Sequence, residues 1–188
     1  MSQRALVIVD LQNDYFPGGA FPLDGIDAAA ANAARVLEAA RRDGELIVHI
    51  QHQSLSPEAG FFVPGTEGVE IHAAVRPAGG ETVVVKNYPN SFRATVLREI
   101  LDKAGIEDVV IVGAMSHMCI AATGRAAADF GYRTTVIHDA CATRALEFGG
   151  VVTSSAQVHA ANMAALAFGY ARVIATAEHL AAEPAAVS

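Results

Sequence analysis

The hydrophobic positions of this chain form short runs that are separated by longer, partly polar segments. Six runs predict strands, at residues 5–9, 45–50, 82–85, 108–112, 133–137 and 172–175. Their content of Val and Ile favours strand over helix. Runs of about five apolar residues without polar alternation are typical of strands that are buried on both faces of a parallel sheet.

Segments with helical composition lie between these strands. The pattern predicts helices at residues 26–42, 91–104, 120–128 and 155–168. Asp27 near the start of the first helix and Gly44 just beyond its end are typical of helix caps. Alternating strands and helices predict a three-layer α/β/α sandwich around a six-stranded, mainly parallel, Rossmann-like sheet.

Two further features of this sheet concern its connections and its strand order. Residues 54–80 are rich in Pro and Gly, so we expect a long loop that covers a site, and we expect the tail 181–188 to be frayed. A Rossmann-type strand order would place the third predicted strand at one edge, three strand spacings of about 4.8 Å from the fourth. The hydrophobic pattern does not decide this strand order. In a Rossmann-type order, residues at the ends of the third and fourth strands would meet only through sheet twist or through a long side chain, such as that of the lysine that follows the third strand.

Composition limits the classes of function. The 188 residues predict a single domain that spans the whole chain. A net charge of −7 without a basic cluster argues against nucleic acid and anionic membranes as partners. The first four residues lead directly into a strand without a signal peptide, and two cysteines do not make a disulfide scaffold, so we expect a cytoplasmic protein.

Three chemically complementary side chains follow predicted strands. Asp10 comes after the first strand, Lys86 after the third, and Cys119 lies at the first turn of the helix that follows the fourth. Ligands bind beyond the carboxyl ends of strands in open α/β sheets, and a helix N-terminus stabilises a thiolate or an oxyanion. Each residue alone can be a simple polar stop, but together they predict a site with Cys119 as nucleophile.

The segments around these residues resemble the three signatures of the isochorismatase-like cysteine hydrolases. They are residues 9–16, 86–92 and 113–119, and the resemblance extends from about residue 5 to 176. The family includes nicotinamidases, N-carbamoylsarcosine amidases, ureidoacrylate amidases and a streptothricin lactam hydrolase. The resemblance implies an Asp10–Lys86–Cys119 triad that hydrolyses a C–N bond of a small amide, lactam or carbamoyl compound through a thioester.

The resemblance also implies an oxyanion hole. It would be formed by the backbone N–H groups of Met115 and Cys119, after a cis peptide bond between Ala114 and Met115. Gln12 is expected to brace this loop or the oxyanion. The candidate substrate-binding residues are Gln12, Phe16, Tyr88, Phe92, His117 and Met118. Plain packing is the alternative for the aromatic residues and Met118, and His117 is the alternative to Asp10 as the base.

Departures from the family pattern narrow the chemistry. Isochorismatases proper lack the cysteine, and nicotinamidases carry an Asp-x-His metal motif that has no aspartate here, in residues 49–53. We therefore expect no metal and no cofactor, with a metal held by His49, His52 or His72 as the alternative. One alternative function is a non-catalytic protein, or an oxidant sensor that uses Cys119, and another is a metal-assisted nicotinamidase.

An apolar segment in the long loop bears on assembly. Residues 61–63 are Phe-Phe-Val, and such a loop needs cover, which a partner subunit would supply. The sequence therefore predicts a homodimer or homotetramer.

Overall fold

The computed structural model describes residues 3–56 and 58–181 of the protein. The strands are β1 (Arg4–Val9), β2 (Leu46–His52), β3 (Thr82–Lys86), β4 (Asp108–Ala114), β5 (Arg133–Ala142), β6 (Leu146–Phe148), β7 (Val151–Thr153) and β8 (Arg172–Ile174). The helices are α1 (Ile26–Arg42), α2 (Leu97–Lys103), α3 (Ala121–Asp129), α4 (Ser155–Gly169) and α5 (Thr176–Ala181).

Six strands form the central sheet in the order β3-β2-β1-β4-β5-β8, and every pairing is parallel. This confirms the predicted three-layer α/β fold. The order also answers the question that the hydrophobic pattern left open, because β3 lies at one edge. β2 lies between β3 and β1, so β3 is about 10 Å, or two strand spacings, from β1.

Two apolar layers cover the faces of the sheet. In β1, Leu6 and Ile8 point to the layer under α1, whereas Ala5, Val7 and Val9 point to the layer under α2, α3 and α4. Successive side chains of a strand point to opposite faces, so a fully apolar strand supplies both layers at once. α5 packs beside α1.

The predicted helix at residues 91–104 is shorter in the structure. α2 begins only at Leu97, and residues 91–96 form turns. The Asn90 side chain accepts a hydrogen bond from the Phe92 N–H, and the Thr95 hydroxyl donates to the Ser91 carbonyl. Such local side-chain bonds compete with helical ones, which explains the late start of the helix.

The long loop at residues 54–80 is covered within its own chain. Phe62 is 1% exposed, and its ring centroid lies 4.6 Å from that of Tyr15. Phe61 stacks on Phe21 at a centroid distance of 4.5 Å. The prediction that this loop needs cover from a partner subunit is therefore wrong, because residues that precede α1 supply the cover.

Three further features complete the chain. The antiparallel pair β6–β7 and the short helix α5 were not predicted. Of the tail that was expected to fray, Ala181 ends α5 and residues 182–188 lie outside the described residues. Within the described ranges, the helices are too short or too polar to cross a membrane.

Candidate active site

The carboxyl ends of four adjacent strands bring the polar residues of the site together. Asp10 follows β1, His52 ends β2, Lys86 ends β3, and Cys119 lies in the turn after β4. His52 and Lys86 are direct partners in the β2–β3 pairing. The Lys86 side chain reaches past β2 and places its Nζ atom 2.8 Å from Asp10 Oδ2. The long lysine stem thus connects the edge strand to the centre of the sheet.

The Lys86 ammonium group is buried and surrounded by acceptors. Besides Asp10, it donates hydrogen bonds to the carbonyl oxygens of Tyr88 and Pro89, both at 3.1 Å, and lies 3.3 Å from His52 Nδ1. Burial alone favours the neutral amine, but the Asp10 carboxylate and the nearby Cys119 hold the pKa of Lys86 above its usual value. Lys86 is therefore a fixed positive charge.

Asp10 is a fully buried carboxylate at a sharp bend of the chain, where its φ angle is 53°. Burial raises the pKa of Asp10, but Lys86 and then His52 outweigh it, so the pKa is lower than usual. Lys86 is its close charged partner and His52 Nδ1 lies 3.7 Å from Oδ2, but neither carboxylate oxygen accepts a hydrogen bond of normal geometry from the residues that the structure describes. An ionised carboxylate thus faces the site with unused acceptor capacity.

The Cys119 thiol lies beside this carboxylate. A carboxylate oxygen of Asp10, a ring nitrogen of His52 and the Cys119 sulfur all lie within 4.8 Å of one another. Cys119 is 3% exposed. Burial and then the Asp10 charge raise the pKa of Cys119, although Lys86 opposes them. The raised pKa favours the protonated thiol, which lies beside the Asp10 carboxylate.

The turn that carries Cys119 has an unusual backbone. Gly113 has a φ angle of 127°, and a Cβ atom at this position would lie 1.9 Å from the Val9 carbonyl oxygen. The peptide bond between Ala114 and Met115 is cis, as predicted. A π-helical turn, Ser116–Ile120, follows, and the Met115 carbonyl accepts hydrogen bonds from the N–H groups of Met118 and Ile120. Turns of this kind are frequent at functional sites.

Gln12 has a different role from the one expected. Its side chain donates to the carbonyl oxygens of His52 and Val69, at 2.8 and 2.7 Å, and accepts a bond from the His52 N–H at 2.8 Å. It is completely buried. Both amide protons are thus used, and the side-chain hydrogen bonds go to β2 and the long loop rather than to the turn after Met115. These bonds do not support the expectation that Gln12 braces this loop or the oxyanion.

The remaining predicted pocket residues divide into two groups. His117 and Met118 belong to the turn of Cys119; His117 Nδ1 lies 2.7 Å from the Thr143 hydroxyl oxygen, and Met118 is 41% exposed. Tyr88 follows Lys86, and its ring packs under the Arg93 guanidinium at 3.8 Å. Burial and then Arg144 lower the pKa of His117, which keeps this ring neutral at neutral pH.

Phe16 and Phe92 belong to the packing of the protein. Phe16 is 5% exposed and stacks on His72, with ring centroids 3.6 Å apart. Phe92 is 8% exposed and packs between the rings of Phe130 and Tyr132. These contacts favour the packing alternative for both residues over contact with substrate.

Three residues near the site were missed or given other roles from sequence. His52 was considered only as a metal ligand, although its place at the end of β2, between the strands of Asp10 and Lys86, was a usable signal. Tyr15 is buried. Burial and then the charges of Asp10 and Cys119 raise the pKa of its hydroxyl, so Tyr15 lies near these two residues. The Asp14 carboxylate accepts the Phe62 N–H at 2.6 Å and so fixes the long loop beside Tyr15.

The histidines considered as metal ligands do not converge. His49 lies 2.9 Å from Glu81, and His72 stacks on Phe16. Within the described ranges, the one group of three side chains whose possible metal-ligating atoms lie close together is Asp10, His52 and Cys119. The Lys86 ammonium already pairs with Asp10 there, and a metal ion would have to displace this charge. The residues present therefore do not fit a metal centre.

Comparison with known proteins agrees with this architecture. The family model described as the isochorismatase domain matches residues 4–178. The isochorismatase family protein YddQ of Bacillus subtilis (strain 168) is 47% identical over 92% of this chain and 96% of its own length. A streptothricin hydrolase of Streptomyces noursei is 37% identical over 74% of this chain, which corresponds to 50% of that protein.

A solved structure shows the same fold over nearly the full length. The crystal structure from Oleispira antarctica, named as an isochorismatase hydrolase, has a TM-score of 0.92 and 49% identity, and covers 95% of this chain and 96% of its own. The family model thus spans the strands and turns that carry Asp10, Lys86 and Cys119, and the relative and the solved structure match nearly the whole chain. The chain belongs to the isochorismatase family of hydrolases.

Proposed function

We propose that this protein hydrolyses a C–N bond in a small amide, lactam or carbamoyl compound through a thioester on Cys119. One observation carries the proposal: the buried Asp10 carboxylate, whose pKa is lowered, lies beside the Cys119 thiol and is paired with the Lys86 ammonium. A thiol, a base and a fixed positive charge are the groups that such acyl transfer requires.

The first half of the reaction forms the thioester. Asp10 accepts the thiol proton as Cys119 Sγ attacks the carbonyl carbon of the substrate, which produces a tetrahedral oxyanion. The backbone N–H groups of Met115 and Cys119 are the proposed donors to this oxygen. When the C–N bond breaks, Asp10 returns the proton to the leaving nitrogen, so that an amine departs and the acyl group stays on sulfur.

The second half releases the acid. Asp10 accepts a proton from a water molecule that attacks the thioester carbonyl, and the proton then passes to the departing Cys119 sulfur. The thiol is restored, and no external acid or base is consumed. A carboxylate of lowered pKa suits this cycle, because it is ionised at neutral pH whenever the thiol is protonated.

Lys86 is proposed to act as a stationary charge. Its two carbonyl partners fix the ammonium group, so the ion pair with Asp10 holds the carboxylate in one orientation. When the proton moves from sulfur to Asp10, the negative charge moves to the sulfur, which Lys86 also stabilises. The role of Lys86 is thus to keep a positive charge beside Asp10 and Cys119, whichever of the two carries the negative charge.

The substrate is proposed to contact the exposed side of the turn. Tyr88, His117 and Met118 remain the candidate contacts, whereas Gln12, Phe16 and Phe92 are engaged elsewhere. The relative named streptothricin hydrolase supports hydrolytic chemistry on a small molecule. The oxidant-sensor alternative gains no support, because a reactive sensor thiol is accessible and acidic, whereas Cys119 is buried with a raised pKa.

An activity screen with a trapping step tests the proposal. Amides, lactams and ureido compounds are incubated with the wild-type protein, with Cys119→Ala and with Cys141→Ala as the matched control, since both cysteines are buried and free. We expect turnover in the wild type and in Cys141→Ala, and an acyl adduct that mass spectrometry locates on Cys119. Full turnover by Cys119→Ala would refute the proposal.

We propose that the protein is a homodimer and that the β6–β7 hairpin is part of its interface. The hairpin exposes four apolar side chains, Leu146, Phe148, Val151 and Val152, and Phe148 is 91% exposed. An isolated two-stranded hairpin is marginally stable in water, so packing against a second copy would stabilise it. Light scattering should show a dimer that Phe148→Ser weakens and Phe168→Ser, on α4, does not; a monomeric wild type would refute it.

The proposed nucleophile also bears on location. Cys119 acts only as a free thiol, and thiols stay reduced in the cytoplasm. We therefore propose that the protein works in that compartment.

A further inference from the structure

A cavity of about 390 Å³ lies behind the turn that carries Cys119. It opens between the end of β5, the start of α4 and the segment before α1. The polar side chains that line it include Asp24, His138, Asp139, Cys141, Thr143 and His159. The mechanism above uses none of these residues, yet two of them contact the turn of Cys119 directly: Thr143 lies 2.7 Å from His117, and His159 lies 2.8 Å from Ser116.

The second of these contacts joins His159 of α4 to Ser116. The Ser116 hydroxyl oxygen is 2.8 Å from His159 Nδ1 and 3.2 Å from the carbonyl oxygen of Ala142. Ser116 is completely buried, and it directly follows Met115 at the start of the π-helical turn. A single hydroxyl thus ties the turn to two elements, β5 and α4.

The two partners of the hydroxyl differ in what they can do. The Ala142 carbonyl only accepts, so when the hydroxyl donates to it, His159 must donate its Nδ1–H to the serine oxygen. Ala142 is also the strand partner of Ala114, the first residue of the cis peptide. The hydrogen bonds that link His159, Ser116 and Ala142 therefore fix the start of the turn against β5. They do so at Ala142, the residue of β5 that pairs with Ala114 of β4.

The position of this turn decides the geometry of the proposed oxyanion hole. Met115 precedes Ser116, and Cys119 follows it by three residues, so a shift of the Ser116 side chain moves both backbone N–H groups. Oxyanion stabilisation depends on donors that are already in place, and a misplacement of about 1 Å can cost about 10²-fold in rate.

We infer that His159 is a positioning residue, which holds Ser116 and thereby keeps the backbone N–H groups of Met115 and Cys119 aimed at the substrate oxygen. The inference rests on the proposed function. His159 acts through Ser116 and does not itself contact the substrate. Its ring also faces His138, at a centroid distance of 6.3 Å, and the cavity leaves the imidazole partly exposed.

Substitutions that keep or remove the Nδ1 position separate this role from simple packing. The side-chain amide of His159→Asn places a polar atom near the position of Nδ1, His159→Gln places it near Nε2, and His159→Leu removes it. We expect the Leu and Gln variants to lose about 10-fold to 100-fold in kcat with KM within about 3-fold, and the Asn variant to stay within about 3-fold of wild type.

A double-substitution cycle tests whether the effect passes through Ser116. Because His159 acts on the turn only through this hydroxyl, Ser116→Ala combined with His159→Leu should be no slower than Ser116→Ala alone. Independent, additive losses would overturn the inference. Thermal unfolding of each variant shows whether a rate loss accompanies a loss of folded protein, and rescue by His159→Asn excludes a merely structural effect.

The outcomes distinguish this inference from the proposed function. If the wild type shows Cys119-dependent turnover and His159→Leu matches it, the positioning role is refuted and the hydrolase mechanism stands. If no Cys119-dependent turnover is found, the proposed function fails. The alkylation rate of Cys119 by iodoacetamide in His159→Leu then still reports on the turn, with a changed rate expected and a rate equal to wild type refuting the role.

Discussion

The Gln12 side chain holds His52 by both of its backbone groups. It donates to the His52 carbonyl oxygen and accepts from the His52 N–H, each at 2.8 Å. A neighbouring β-strand would bond to the same two backbone groups. The third bond, to Val69, attaches the long loop to the same point. Gln12 therefore fixes the end of β2, where His52 lies beside Asp10 and Lys86, without contacting the turn of Cys119.

Gln12→Ala should accordingly destabilise the fold. The substitution removes the side-chain partner of the His52 N–H and of the His52 carbonyl oxygen, whereas the Val69 carbonyl oxygen keeps a hydrogen bond from Gln51. Each unsatisfied group costs about 1–3 kcal/mol, so we expect a loss of at least about 2 kcal/mol in the free energy of unfolding. Urea titration measures this loss. Gln3→Ala is the control, because Gln3 makes one exposed bond, to Glu107. Equal stability of the two variants would show that the Gln12 bonds contribute little.

The predictability of the site follows from the geometry of parallel sheets. Because the carboxyl ends of parallel strands share one edge, the positions of Asp10, Lys86 and Cys119 at three strand ends were enough to expect their convergence. The direction of a side chain depends on tertiary packing, and periodicity does not report it. Gln12 and Phe92 were for this reason assigned to the substrate, although one bonds to β2 and the other packs in the core.

The missed elements have a similar explanation. β6 and β7 have three residues each and are almost fully exposed, so they carry no buried apolar alternation that a pattern would detect. The late start of α2 depends on side-chain bonds by Asn90 and Thr95, which a helical pattern does not reveal.

Asp10→Asn should remove the base and lower the rate by about 10² or more. Asp27→Asn, at an exposed carboxylate of α1, is the control. Since the pKa of Asp10 is lowered, the base form exists at neutral pH and is lost only as the pH falls through that lowered pKa. The acid limb of kcat/KM should therefore lie below pH 4, in a pH–rate profile of the wild type. An acid limb near pH 6 would instead assign the base to a histidine.

The same substitution should make the Cys119 thiol more acidic. Burial and then the Asp10 charge raise the pKa of this thiol, and Lys86 lowers it, so removing the carboxylate charge leaves burial as the main effect that opposes Lys86 and lowers the thiol pKa. We expect Asp10→Asn to react faster with iodoacetamide at pH 8 than the wild type does, although it is the slower enzyme. Mass spectrometry of the modified peptide gives the rate for Cys119 alone. Slower alkylation in the variant would contradict the proposed electrostatic balance.

Removal of metal ions should leave hydrolysis unchanged. Lys86 already supplies the positive charge beside Asp10, and His49 and His72 are engaged with Glu81 and Phe16. We expect full activity after prolonged dialysis against a chelator, compared with a sample dialysed against buffer alone. Activity that a chelator abolishes and zinc or iron restores would establish a metal-assisted reaction and reopen the nicotinamidase alternative.

Gly113→Ala should be far more damaging than Gly131→Ala. Both glycines have positive φ angles, 127° and 95°, so a side chain is strained at either position. At Gly131 no atom lies within 4 Å of the added Cβ, whereas at Gly113 the Val9 carbonyl oxygen lies 1.9 Å away. Val9 belongs to β1, and its movement would shift the following Asp10.

We therefore expect Gly131→Ala to lose about 1 kcal/mol of stability, and Gly113→Ala to lose at least about 3 kcal/mol or to fail to accumulate as folded protein. Urea unfolding of the purified variants, with the soluble yield where purification fails, measures the difference. If Gly113→Ala folds, its turnover should fall even at temperatures where it is fully folded, because Asp10 and the turn of Cys119 are displaced together. Equal stability and equal turnover of the two variants would show that β1 and the turn do not depend on this close contact.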